Sequence, residues 1–444
     1  MDITRRGFVL AQSAAVGIAL TPSTLLAALE SAAKPSPKAE TWDAVRKLFT
    51  LSPDWMHFSG FFIASHPTPV REAIDAYRKA IDANPFTTVE EGLFKREGKS
   101  VQDQVRDDIA AYLGGKGEDV ALVSNTTSGL ALVYSGLPLK PGDEVLTTTH
   151  DHYVHHTAIN LAVKRNGASV RKVALYEDAA KATVQGIVER VRREVKPSTR
   201  VFGITWVSSQ TGLKLPIRQI AAAVADINQK RAADERVVLL VDGVHGLGCV
   251  DETVAEMGAD VFVAGTHKWM FGPRGTGIVW AKPAVWARMT PSIPCFGDPE
   301  QFQAWAENRE PTTPATAARM SPGGFLAYEH QWALGAAFRL HRELGRDRIA
   351  ARVSELNGQI KEGLVKIPGL TLFTPRDPRL SAGICSFVIK GRDTDAIVDG
   401  LKARRVIASH SPYRPSYPRL SAGIFNTPDE VRAALEALNT VARA

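Results

Sequence analysis

A series of short apolar and β-branched runs punctuates the middle of the chain: Val120–Val123, Glu144–Thr149, Val170–Leu175, Val201–Val207, Val237–Val241, Val261–Ala264 and Gly277–Trp280. Between several of them, apolar positions recur every three to four residues, as in Thr183–Val195 and Ile217–Gln229. Runs of that length predict strands, and the longer period predicts helices. Strands joined by crossover helices form a mostly parallel sheet covered on both faces. Ligands of such sheets collect beyond the carboxyl ends of the strands.

The pattern changes after a Pro-rich, polar stretch over Glu307–Pro322, which reads as a domain connection. Beyond it, Tyr328–Glu343 and Arg348–Leu364 predict long helices, Leu370–Phe373 and Ile384–Lys390 strands, and Pro428–Val441 a closing helix. The expected organisation is a leader over 1–33, an N-terminal segment over 34–65, a large domain over 66–310 and a small α+β domain over 311–444.

Composition adds little to this. The chain is 44% hydrophobic and 23% charged, the balance of a soluble globular enzyme. Its net charge of +7 is scattered, with no basic stripe or nucleic-acid motif behind it. The N-terminus is more specific. Thr4-Arg5-Arg6-Gly7-Phe8-Val9-Leu10 resembles a twin-arginine export signal, followed by an Ala-rich stretch from Val9 to Leu20 that is too short to span a membrane. Ser31-Ala32-Ala33 offers a cleavage site, and Lys34-Pro35-Ser36-Pro37 a linker. Together they predict passage through the twin-arginine machinery to the periplasm, with no membrane anchor after cleavage. Cys249, Cys295 and Cys385 are too few for a disulfide framework and lack zinc-ligand spacing.

Candidate chemistry gathers at the predicted strand ends. Ser124-Asn125-Thr126-Thr127-Ser128-Gly129 puts hydroxyls and backbone N–H groups at a helix N-terminus, an anion site suited to phosphate, though helix capping explains the same residues. Asp242 ends a Val/Leu run, where a carboxylate needs a cationic or hydrogen-bonding partner. Lys268 follows another strand and precedes a Gly-rich turn, Gly272-Pro273-Arg274-Gly275-Thr276-Gly277. Burial there would free its nucleophilic amine for a Schiff base. His150-Asp151-His152-Tyr153-Val154-His155-His156 invites a metal reading, yet Val154 stands where a ligand set of the HxHxDH kind needs its aspartate, so no metal is expected. Gly243-Val244-His245-Gly246-Leu247-Gly248 does not spell the dinucleotide-binding fingerprint and follows a late strand.

Phosphate-binding hydroxyls, then an aspartate, then a lysine 26 positions on is an ordered set. With it, the chain from about residue 55 to 440 resembles the class V aminotransferase family, fold type I enzymes dependent on pyridoxal 5'-phosphate. That group includes cysteine desulfurases, isopenicillin N epimerase-like proteins and kynureninases. The resemblance implies a large domain built on a mostly parallel seven-stranded sheet, a small C-terminal domain and a homodimer. It implies that Lys268 carries the cofactor and then shuttles the α-proton, and that Asp242 pairs with the ring nitrogen. His245 would lie near the ring oxygen, and Ser209, often Asn in desulfurases, at the phenolic oxygen. Thr126, Thr127 and His267 would bind the phosphate. His152, following the Gly142-Asp143-Glu144-Val145-Leu146 strand, would stack on the ring, leaving His150, His155 and His156 as rim or helix surface. Arg419 would grip a substrate carboxylate. Arg319-Met320-Ser321-Pro322-Gly323-Gly324 stands where relatives reach the neighbouring subunit's phosphate, but Gly323-Gly324 departs from their Gly-Thr.

These residues imply cofactor chemistry on an amino-acid-type substrate without fixing its outcome: transamination, epimerisation and β-elimination begin alike. A desulfurase needs a nucleophilic cysteine on a mobile C-terminal loop, whereas Cys385 falls inside a predicted strand. A C–S lyase-like activity, an epimerase and a catalytically silent binding module remain as alternatives.

Overall fold

The computed structural model describes residues 24–32, 39–94 and 98–443. The twin-arginine stretch and the Lys34–Pro37 linker lie outside them. After a two-residue strand β1 (Met56–His57), the chain lays down β2 (Val120–Val123), β3 (Glu144–Thr148), β4 (Ser169–Val173), β5 (Thr199–Thr205), β6 (Val238–Asp242), β7 (Val261–Gly265) and β8 (Gly277–Ala281). β2 to β8 form one sheet in the order β2-β8-β7-β6-β5-β3-β4. The pairings β7–β6, β6–β5, β5–β3 and β3–β4 are parallel, and β8 runs antiparallel to both neighbours.

The central strands are buried along their whole length, which is why they read as unbroken apolar runs. Successive residues still serve opposite faces: Leu239, Val241 and Phe262 join one core, and Val238, Leu240, Val261 and Val263 the other. Edge strand β4 is half-exposed, and its register is Ser169 to Val173 rather than Val170 to Leu175, set by pairing Ser169 with Glu144.

Helices ahead of the first long strand carry no signal in the strand pattern. Thr68–Ala83 buries Val70, Ala73, Tyr77 and Ala80 at helical spacing. Val101–Leu113 starts at a capping box between Ser100 and Asp103. Both pack against Tyr328–Leu344, whose Trp332, Ala333, Ala336 and Ala337 complete a shared core. Helix Thr24–Ala32, within the stretch expected to be leader, seats Leu25, Ala28 and Ala32 in that core.

In the C-terminal region, β9 (Leu370–Leu372), β10 (Cys385–Ile389), β12 (Ser409–His410) and β13 (Pro418–Leu420) make an antiparallel sheet in the order β12-β13-β10-β9. β11 (Val406–Ile407) instead pairs in parallel with β1. Helices Arg346–Leu364 and Pro428–Arg443 cover the small sheet with Leu356, Ile360, Val431 and Leu438. The stretch expected to be a plain connection holds one short helix, Ala317–Met320, and Arg319 within it is buried in a two-pronged bond to Asp298. That arginine is structural.

Candidate active site

The carboxyl ends of β2, β3, β5, β6 and β7 point toward one cavity of about 490 Å³, closed from the other side by the small domain. Thr126, Thr127, His152, Ser209, Asp242, His245, His267, Lys268 and Arg419 all line it. The structure therefore brings together every residue expected in the site.

Each is placed by local structure. Asn125 and Ser128 form a capping box, so the helix Thr126–Gly136 opens at the cavity, and Thr126 Oγ1 accepts the Gly265 N–H (2.8 Å). His152 is itself a cap, its Nδ1 accepting from Val154 N (3.3 Å) at the start of Tyr153–Asn166. Asp242 Oδ1 accepts the Val244 N–H (3.2 Å), and Gly243 follows because any side chain there would enter the Phe262 ring. Lys268 begins a turn held by the Thr266–Thr276 hydroxyl pair (2.6 Å) and by Phe271 N–H donating to Lys268 O (3.0 Å).

The electrostatics favour neutral bases beside a buried acid. Burial lowers the Lys268 pKa to about 8, Asp242 opposing and the Arg419 cation adding to the shift. Its Nζ lies 3.0 Å from His245 Nε2, and burial holds that imidazole well below the ordinary histidine range. His152 and His267 are each lowered to about 4, by burial first and the Lys268 charge next. Burial pushes Asp242 up. Arg419 is lowered to about 10 by burial. It donates to Ser409 Oγ (3.2 Å), Ser209 O (2.6 Å) and His410 O (2.7 Å), and lies over the Phe61 ring at 4.7 Å.

Two residues were not foreseen. Tyr413, from a Pro-bracketed turn of the small domain, bonds Ser209 Oγ (2.7 Å) and meets the His152 ring edge-on at 5.9 Å. The hydroxyl expected at the cofactor's phenolic oxygen is thus engaged across the domain boundary. His155, expected at the rim or surface, is completely buried and lines the cavity. Its spacing of three from His152 along the helix, which puts both on one side, was the available signal. The remaining histidines leave the cavity: His150 stacks on Tyr176 at 3.8 Å, and His156 Nε2 bonds Thr148 O (2.8 Å). Among the described residues no group of three or more His, Cys, Asp or Glu side chains could hold a metal.

This geometry fits pyridoxal phosphate. A helix N-terminus with hydroxyls would take the phosphate, His152 the ring face, Asp242 the ring nitrogen and Lys268 the aldehyde carbon. A family model for aminotransferase class V matches residues 64–442. The chain belongs to the aminotransferase class-V family, enzymes whose cofactor is pyridoxal 5'-phosphate. Among relatives, isopenicillin N epimerase of Streptomyces clavuligerus is 25% identical over 409 residues, covering 90% of this chain and 98% of that protein. A probable cysteine desulfurase of Methanothermobacter thermautotrophicus is 23% identical over 409 residues, covering 89% and 94%. Among solved structures, apo cysteine desulfurase from Thermococcus onnurineus has a TM-score of 0.75 at 20% identity, covering 90% and 97%. The cystine C–S lyase C-DES, in complex with its product cysteine persulfide, has a TM-score of 0.74 at 21% identity, covering 87% and 98%. At such identities these structures speak for the fold.

Proposed function

We propose that this class V enzyme works in the periplasm, as a homodimer, on the α-carbon of an amino acid or an amino-acid moiety whose carboxylate docks on Arg419. One observation carries the substrate class. Arg419 is a buried guanidinium whose bonds all go to neutral oxygens, and no carboxylate among the described residues pairs with it. A buried cation without a counter-charge is held at a considerable free-energy penalty and is best compensated by an incoming anion. Its planar fork suits a carboxylate.

Pyridoxal phosphate, when bound, links to the substrate amine and draws electrons from the α-carbon. The chain's own residues do the rest. Lys268, with its pKa near 8, presents a workable fraction of neutral amine to hold and move a proton. Asp242, at the end of β6 in the cavity wall, would keep the ring nitrogen protonated. Phe61 and Val244 give the cavity an apolar part of its wall.

A persulfide-forming desulfurase is disfavoured by the thiols. None of Cys249, Cys295 and Cys385 lines the cavity; Cys385 is buried in β10, its thiol raised to about 12 by burial. Export is supported by the twin-arginine-like N-terminus, and that leader combined with these core motifs resembles the exported enzyme of pyoverdine maturation. Epimerisation and direct C–S elimination remain compatible with the same residues.

The test is spectroscopic. Protein loaded with pyridoxal phosphate is titrated with a panel of amino acids and with their α-carboxamides. A change in the cofactor's visible absorbance with one or more acids and none with the matching amides supports the reading. Equal responses to both would remove Arg419 from substrate binding.

A further inference from the structure

A second cavity, of about 230 Å³, lies on the boundary between the two domains and shares no lining residue with the first. Lys214 and Cys249 reach it from the large domain, and Lys361, Thr374, Ser381 and Cys385 from the small one. Drug-sized ligands occupy roughly 300–1,000 Å³, so an occupant here is small. Its walls are joined by uncharged bonds: Lys214 N–H donates to Leu380 O (2.9 Å), and Thr374 Oγ1 to Thr211 O (2.6 Å).

What the walls leave uncompensated is positive charge. Lys361 is buried, and its ammonium donates to three neutral oxygens, Pro375 O (3.2 Å), Arg376 O (3.3 Å) and Ser381 Oγ (2.7 Å). Lys214 is half-buried, and its ammonium has no hydrogen-bond partner. Neither lysine forms an ion pair with a carboxylate among the described residues. The one carboxylate in the wall, Asp251, is half exposed at 49% and lies 3.5 Å from Arg346 Nε. Outside the wall, Asp377 is held by Arg379 (2.8 Å), and Glu252 lies 3.8 Å from Arg218. The thiols add no charge: burial raises both, and their S–H groups turn to His245 O (3.1 Å) and Asn357 O (3.6 Å). Two ammonium groups around one small enclosed space carry a desolvation cost that an anion between them would offset.

We propose that this cavity is a second ligand site, for a small oxyanion of the phosphate or carboxylate kind, to which Lys214 donates and Lys361 lends a fixed positive charge. An occupant bridges the two domains. It also meets the elements that carry the first cavity: Lys214 shares with Ser209 a loop closed by Ser208 N–H donating to Leu213 O (2.8 Å), and Cys249 bonds the His245 carbonyl.

The test uses enzyme loaded with pyridoxal phosphate, so that the cofactor's own phosphate site is filled. Inorganic phosphate and malonate are titrated calorimetrically into the wild type and into Lys214→Met, Lys214→Arg, Lys361→Met and Arg419→Gln. At least one of the two anions is expected to bind the wild type saturably. Lys214→Met, which orphans no partner, should weaken that binding roughly 10- to 100-fold, the equivalent of one lost charge-assisted hydrogen bond. Lys361→Met should weaken it too, while Lys214→Arg and Arg419→Gln should retain it. Tighter binding of phosphate supports the site with an inorganic or phosphoryl occupant, and tighter binding of malonate supports it with a carboxylate. No saturable binding of either anion would overturn the proposal. So would binding that both lysine-to-methionine variants leave unchanged, or that Arg419→Gln abolishes, since the anion would then sit elsewhere.

Discussion

Lys268 Nζ stands 3.0 Å from His245 Nε2, and burial moves both groups toward their neutral forms. An amine held against an imidazole that does not take up a proton has no competing cation at contact distance.

The first prediction concerns pH. Lys268 is lowered to about 8 from 10.5, so its reactive neutral form grows as pH rises through about 8. The rate at which apo-protein takes up pyridoxal phosphate should follow that rise. Arg419 helps to depress this pKa and Asp242 opposes it. Arg419→Gln should therefore move the midpoint to higher pH, and Asp242→Asn to lower pH. Stopped-flow absorbance across pH 6–10 reads both signs, and shifts in the opposite directions would refute the electrostatic assignment.

Arg419→Lys keeps the charge but loses the fork. Charge-assisted hydrogen bonds contribute about 1.5–3 kcal/mol each, so kcat/KM should fall roughly 10- to 100-fold, mostly through KM. Steady-state kinetics on the amino acid found in the titration check this; an unchanged KM would place the carboxylate elsewhere.

Tyr413 ties the small domain to Ser209. Tyr413→Phe keeps the ring beside His152 and removes the bond, so urea unfolding should report a loss of about 0.5–1.5 kcal/mol. If the cofactor's phenolic oxygen engages Ser209 when bound, the loss should shrink in the loaded protein. An equal loss in both forms would mean that Ser209 does not meet the cofactor.

Cys295 is the one half-buried thiol, and it does not line the cavity. Cys295→Ala should leave turnover within about twofold. Mass spectrometry that finds sulfur transferred to Cys295 during turnover would revive the desulfurase reading.

Much of this was legible in the sequence because the physics was local. β2 and β6 to β8 show as continuous Val/Ile/Leu runs since both their faces are covered, and Lys268 and Asp242 stand out as polar groups at the ends of such runs. Less legible was whatever depends on distant partners. Helix Thr68–Ala83 is an ordinary amphipathic segment until Trp332 arrives from far along the chain. His155 reads as surface because its burial depends on Tyr134 and on the missing side chain at Gly203, on another helix and another strand. Tyr413 looks like turn filler until the packing of the small domain sets it against Ser209. Arg319 was set beside a subunit-crossing segment, whereas its intrachain bond to Asp298 accounts for it.

The central claim is that Lys268 carries the cofactor. Protein equilibrated with pyridoxal phosphate is reduced with borohydride, digested and mapped by mass spectrometry, with Lys268→Ala in parallel. The pyridoxyl group is expected on Lys268 in the wild type and absent from the variant, which should still unfold in one cooperative transition. A pyridoxyl group on another lysine, or one retained by folded Lys268→Ala protein, would contradict the claim.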